Sequence, residues 1–104
     1  MSYNRTAPAG MIAAGFQALS LANSTALGLN STVQATGASA FLLSVETQNA
    51  RVRFDSTAPT LSTGVLLVKD KEYLFEGVDA SLIKFQRTTG TCAVSVQAFT
   101  RPGG

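Results

Sequence analysis

Apolar and polar residues alternate along much of the second half of the chain, and this period of two predicts half-buried β-strands. Residues 41–45 place a large apolar side chain at every second position, and residues 50–55 repeat the pattern. In the second segment Val52 and Phe54 are expected to face a core, while the polar residues between them face water. We predict that the two segments form a hairpin through residues 48–49.

Further strands follow at short intervals. Residues 65–68 are a continuous apolar run, and a polar turn at 69–71 leads into an expected returning strand at 72–76. Residues 82–87 and 92–99 are expected to form another hairpin. The segment between the second and third strands, residues 56–64, contains a proline and a glycine among Ser and Thr and is therefore predicted to be a loop.

The N-terminal half has a weaker pattern. Residues 12–21 alternate as a strand does, but a helix over 11–22 is the rival prediction because Ala and Leu favour helices. Residues 1–12 are predicted to be an extended arm, which leaves residues 23–38 as a loop with one short strand near 32–35.

About six or seven short strands separated by turns are typical of an antiparallel sandwich or a small barrel. No amphipathic crossover helix separates them, which argues against a parallel sheet. We therefore predict an all-β fold, a single antiparallel β-sandwich or jelly-roll-like small barrel with an extended N-terminal arm. The arm is residues 1–12, the domain is residues 13–100 and a short tail is residues 101–104.

The charged residues are unevenly distributed. Of 14 Asp, Glu, Lys and Arg, only Arg5 precedes position 46, and charged residues make up 13% of the chain. Ordinary soluble domains are about 25% charged. A 104-residue chain cannot bury so long a neutral segment completely within itself, so we expect a partner surface to cover part of it. This composition favours a component of an assembly over an enzyme.

Other classes of function have little support. The net charge of +2 comes from scattered cations, and the longest charged run, residues 69–72, alternates in sign. Nucleic-acid binding needs a clustered basic surface, and a membrane-spanning helix needs a long apolar run, so we expect neither partner.

The chemistry of catalysis or cofactor binding is also poorly represented. Cys92 is the single cysteine, and the chain has no histidine to act as its base or as a metal ligand. We interpret Cys92 as a small buried residue in a strand. The carboxylates show no paired arrangement, so we predict no catalytic, metal or cofactor site.

Two groups of residues are candidate partner contacts. Arg51, Arg53 and Asp55 share one face of a predicted strand, as a solvated surface or as a subunit contact. Asp55 is also expected to bond backbone amides of the following turn. The second group is apolar and belongs either to a core strand or to an arm laid on a neighbouring subunit; its members are Tyr3, Met11, Ile12 and Phe16.

From about residue 44 the chain resembles a group of small virion proteins of tailed bacteriophages. The similar stretches are 45–47, 50–55, 57–60, 64–67, 74–77, 83–85 and 94–96. One departure is Ser56, where similar sequences lead us to expect glycine; a positive φ at this position would strain serine. The resemblance does not extend to the first 40 residues.

The resemblance implies a structural role in a virion assembled in the host cytoplasm. We expect a capsid decoration or cement protein that binds the major capsid protein on the outside of the head as a homo-oligomer, with a trimer as the first expectation. A tail or head-tail connector component is the alternative within the particle, and a carbohydrate or host-surface binding module is the alternative outside it.

Overall fold

The computed structural model describes residues 10–22 and 25–100, and these form an all-β fold, as predicted. Eight strands occur among them, with one helical turn and one short 3₁₀ helix at Ala80–Leu82. The strands are β1 (Ile12–Leu21), β2 (Leu27–Gly28), β3 (Ala40–Glu46), β4 (Ala50–Arg53), β5 (Val65–Leu67), β6 (Lys71–Glu76), β7 (Lys84–Arg87) and β8 (Cys92–Thr100).

The strands form two antiparallel sheets of four strands. Sheet A has the order β1-β8-β3-β6, and sheet B has the order β2-β7-β4-β5. The sheets pack face to face, because one set of alternate side chains from each contributes to a shared core. Phe41 and Val94 enter this core from sheet A, and Val52 and Phe85 enter it from sheet B.

The segment at 12–21 is a strand rather than a helix. β1 pairs with β8 along its whole length, and a bulge lies between Ala13 and Gly15. Leu19 and Leu21 alternate into the core, and the backbone pairing with β8 outweighs the helix propensity of the alanines. Of the predicted arm, residues 1–9 lie outside the described residues, while Ile12 is the first residue of β1.

The prediction of a short strand near residues 32–35 is wrong. Ser31–Gln34 form a single helical turn, α1. Asn30 caps it, because its side-chain oxygen accepts a hydrogen bond from the Val33 amide at 2.9 Å. Gly37 then turns the chain at φ 70°. A local side-chain cap decided the conformation here, which the Thr-Val-Gln pattern alone did not reveal.

The predicted hairpins at 48–49, 69–71 and 88–91 are also wrong as strand pairings. In each case the two flanking segments are strands, but they belong to different sheets. β3 precedes β4 in the chain and pairs instead with β6 and β8. Among the strands described, β4 and β5 alone are both consecutive in the chain and adjacent in a sheet.

Sharp corners allow the chain to change sheets so often. Positive φ angles occur in the connections β3 to β4, β5 to β6, β6 to β7 and β7 to β8, at Thr47, Asp70, Gly77 and Gly90 respectively. A left-handed residue redirects the chain within a few positions, and in each of these four connections the chain leaves one sheet and enters the other. The corners therefore bring residues distant in sequence together on each face.

Candidate interaction surfaces

The outer face of sheet A is divided between uncharged and acidic strands. The uncharged patch is the set of outward-facing side chains of β1 and β8. Its members are Ala13, Phe16, Ala18, Ser20, Ala93, Ser95 and Gln97. At the end of this face Ala40 and Phe99 also point outward, but both are fully buried. In this row only Ala13 of the edge strand β1 is exposed, so most of the accessible patch lies from the row of Phe16 onward.

Phe16 is the main apolar group of the uncharged patch. Its side chain is 59% exposed, and its register partner on β8 is Gln97. The Gln97 amide donates a hydrogen bond to the Gly15 carbonyl at 2.9 Å, which ties the bulge of β1 to β8. The ring thus lies beside an amide nitrogen that is already engaged within the sheet, and an exposed apolar ring among small side chains is suited to contact with another molecule.

The outward-facing side chains of β3 and β6 form an acidic strip. Its members are Leu42, Ser44, Glu46, Glu72, Leu74 and Glu76. Leu74 is 47% exposed and lies on β6 between Glu72 and Glu76. No lysine or arginine of the described strands faces outward on sheet A. The strip therefore carries three negative charges that no cation on the described strands of this face balances.

Sheet B presents the opposite charge on the other side of the sandwich. Its basic face contains Arg51, Arg53, Leu66 and Lys84. Arg53 lies opposite Lys84 in the register, and Arg51 lies opposite Leu66. Leu66 is 43% exposed, so an apolar side chain also lies among the charges here.

Arg53 and Asp55 form an ion pair at the end of β4. Two hydrogen bonds join the guanidinium to the carboxylate, from Nε to Oδ1 at 3.1 Å and from Nη2 to Oδ2 at 2.5 Å. The hydrogen bond from Arg53 lowers the pKa of Asp55, and the same contact raises the pKa of Arg53. Because both side chains are solvent-exposed, the pair orients the arginine more than it stabilises the fold.

Asp55 also begins the loop between β4 and β5, as predicted. Its carboxylate accepts a hydrogen bond from the Thr57 amide at 3.2 Å. Ser56 follows in the left-handed region at φ 64°, where serine is strained. An open cleft of about 380 Å³ borders this loop, lined by Val52, Arg53, Phe54, Asp55, Gly64 and Val65.

Arg51 is held differently from Arg53. Its Nη1 donates a hydrogen bond to the Gly64 carbonyl at 3.2 Å, so the side chain lies along the sheet toward β5. Its buried Nε has no hydrogen-bond partner among the residues that the structure describes. Arg51 therefore adds positive charge to the basic face while its stem packs on the sheet.

The structure separates the two groups of predicted contact residues. Ile12 and Phe16 are exposed on β1 of sheet A, and Met11 before them is half-buried. Arg51, Arg53 and Asp55 belong to sheet B and the loop that follows β4. Tyr3 lies outside the described residues. The described members of the two groups therefore belong to different sheets.

The sequence analysis did not select the acidic strip. The signal was present, because alternation in residues 72–76 already places Glu72, Leu74 and Glu76 on one face. The predicted hairpin at 69–71 paired this strand with 65–68 and so hid its true neighbour, β3.

The described residues contain no group of three or more His, Cys, Asp or Glu arranged to hold a metal ion. Cys92 is fully buried, as predicted, and its thiol lies 3.0 Å from the Gln48 carbonyl oxygen. Burial raises the pKa of this thiol, which disfavours the reactive thiolate.

Across residues 10–22 and 25–100, no helix is long and apolar enough to cross a membrane.

Comparison with known proteins gives no relative for this chain: no family model, no curated protein and no solved structure matches it.

Proposed function

We propose that this protein is a non-catalytic structural subunit of a tailed-bacteriophage virion, which decorates the outside of the head and stabilises contacts between major capsid subunits. The observation that carries the proposal is the uncharged patch. It presents Phe16, 59% exposed, among small neutral side chains on two adjacent strands. Covering such a surface removes apolar area from water without burying an unpaired charge.

The proposed activity is mechanical. Packaged DNA presses outward on the shell, and a protein bound across the joint between two capsid subunits must be detached before the joint opens. Its binding free energy therefore adds to the free energy of separating the subunits, in each of many copies. This role requires no nucleic acid, membrane or cofactor as a partner of the subunit.

The two sides of the sandwich suit such a bridging role. The uncharged patch is on sheet A, and the basic face is on sheet B. A subunit bound through one surface therefore keeps the other available for a neighbouring copy, as a homo-oligomer in the virion requires. We expect assembly in the host cytoplasm together with the head.

Binding to purified shells tests the proposal. The substitution F16E replaces the main apolar group of the uncharged patch with a charge. We expect it to weaken cosedimentation with shells about tenfold or more, because burial of a phenylalanine is worth about 1.5–3 kcal/mol. The matched control is L61E, which changes another exposed apolar residue, 46% exposed, in the loop between β4 and β5. It should bind as the unmodified protein does.

Copy number in the particle separates this role from the alternatives. Quantitative mass spectrometry of virions should find the protein in numbers comparable to those of the major capsid protein. A far smaller number would reassign it to the tail or the connector. Absence from virions, together with selective binding on a glycan array, would replace the proposal with a host-surface binding module.

A further inference from the structure

The acidic strip and the basic face lie on opposite sides of the same sandwich and carry opposite charges. The strip has Glu46, Glu72 and Glu76 without a cation on the described strands of its face. The basic face has Arg51, Arg53 and Lys84, of which Arg53 alone is paired with a carboxylate among the described residues.

Both surfaces also contain an exposed leucine beside like charges. Leu74 lies two residues from Glu72 on one side and from Glu76 on the other. Leu66 lies directly opposite Arg51 in the register. If the strip of one molecule meets the basic face of another, the leucines can make an apolar contact while the charges around them attract.

We propose that copies of this chain associate head to tail, with the acidic strip of one copy against the basic face of the next. Contact between two acidic strips, or between two basic faces, would oppose like charges and is disfavoured. The association is therefore heterologous, and it generates a closed ring or an open row of subunits rather than a symmetric pair. This inference deepens the proposed function, because it names the surfaces through which the copies meet.

One such contact is small. The strip is only two strands wide, about 10 Å. The area that it can bury is therefore smaller than the roughly 800 Å² per partner of a standard interface. We therefore expect weak association of the isolated protein, strengthened by ring closure or by binding of neighbouring copies to one shell. Electrostatic attraction across exposed surfaces should make it sensitive to salt.

Charge reversal tests the proposal. E72K/E76K makes the strip basic, and R53E/K84E makes the basic face acidic. Each variant alone then opposes like charges at the contact, so we expect at least a tenfold loss of association in sedimentation velocity at low ionic strength. An equimolar mixture should associate again, because each variant offers an unmodified surface to the other and the two altered surfaces also attract. Circular dichroism establishes that both variants are folded.

The control is K69E/K71E, which changes the net charge as R53E/K84E does but alters the turn before β6 and the first residue of that strand. It should associate as the unmodified protein does. Three results would overturn the proposal: a monomer at all concentrations in low salt, association unaffected by either charge reversal, or variants whose mixture stays dissociated. Shell binding is measured separately, so failed self-association with intact shell binding rejects this inference while the proposed function stands.

Discussion

Ser56 adopts a backbone conformation that favours glycine. Its φ is 64°, and it lies directly after the Arg53–Asp55 ion pair, at the start of the loop that follows β4. A left-handed conformation costs a non-glycine residue about 1–2 kcal/mol, partly offset because glycine is more flexible in the unfolded chain. The serine therefore stores strain beside the basic face, where the Asp55 side chain holds the turn in place.

We predict that S56G raises the free energy of unfolding by about 0.5–1 kcal/mol, because glycine relieves the strained φ. Urea denaturation measures the change. The control is S62G, in the same loop but without a positive φ, which should lower stability by a similar amount. Equal effects of the two substitutions would show that Ser56 is not strained.

The Arg53–Asp55 pair predicts a dependence on pH. Its hydrogen bonds lower the pKa of Asp55 below the usual value of an aspartate in the folded protein, so the unfolded chain binds the proton more readily. The pair's contribution is therefore complete above the unfolded pKa and is lost as pH falls through the folded value.

The expected result is that stability falls less steeply with acid in D55N than in the unmodified protein, measured by urea unfolding between about pH 5 and about pH 2.5. R53Q should reduce the same part of the pH dependence, because it removes the partner that lowers the pKa. If R53Q leaves the profile unchanged, Arg53 is not its cause.

The corners between strands are linked to one another. The Thr47 hydroxyl in the β3 to β4 corner lies 2.8 Å from the Thr91 carbonyl oxygen and accepts a hydrogen bond from the Ala93 amide at 3.3 Å. Thr91 and Ala93 lie at the start of β8, so one side chain connects two corners at the same end of the sandwich. Such a link compensates for the positive φ of 71° at Thr47.

Removing this hydroxyl should therefore destabilise the fold, because the lost hydrogen bonds outweigh any relief of strain at the positive φ of residue 47. We predict that T47A lowers the free energy of unfolding by about 1–2 kcal/mol, because both hydrogen bonds are lost. T47S retains the hydroxyl and should remain within about 0.5 kcal/mol of the unmodified protein. If T47S destabilises the protein as much as T47A does, the effect belongs to packing of the methyl group, which both substitutions remove, and not to the hydroxyl.

The sandwich as a whole has an uncharged patch and an acidic strip on one side and a basic face on the other. Under the two proposals above, these surfaces would let one small domain meet two kinds of neighbour, a shell and another copy of itself. The low charge of the first 45 residues matters because β1 lies at the edge of sheet A and supplies four of the seven members of the uncharged patch.

The predicted N-terminal arm can be tested at this level. Deletion of residues 1–9, which precede β1, should leave the sandwich folded by circular dichroism and weaken shell binding, because an arm would add backbone and apolar contacts to a neighbouring subunit. Deletion of residues 101–104 is the matched control and should leave shell binding unchanged. Equal binding by both truncated proteins would remove the arm from the interface.

The alternation of apolar and polar residues was sufficient to predict which side chains of most strands face the core and which face outward. Val52 was correctly expected in the core, and Cys92 was correctly expected to be buried. These predictions succeeded because side-chain direction in a strand depends on local geometry of period two, which is the same whichever strand lies alongside. The overall all-β class follows from the same local signal.

Strand neighbours and shared surfaces depended on contacts between segments far apart in the chain. β1 pairs with β8, and β3 lies between β8 and β6, although a short turn suggested a hairpin of β3 with β4. Alternation carries no information about which strands pair, and a corner at Thr47 directs the chain across the sandwich instead of back along it. For this reason the acidic strip and the basic face became visible as opposed surfaces only once the two sheets were assembled.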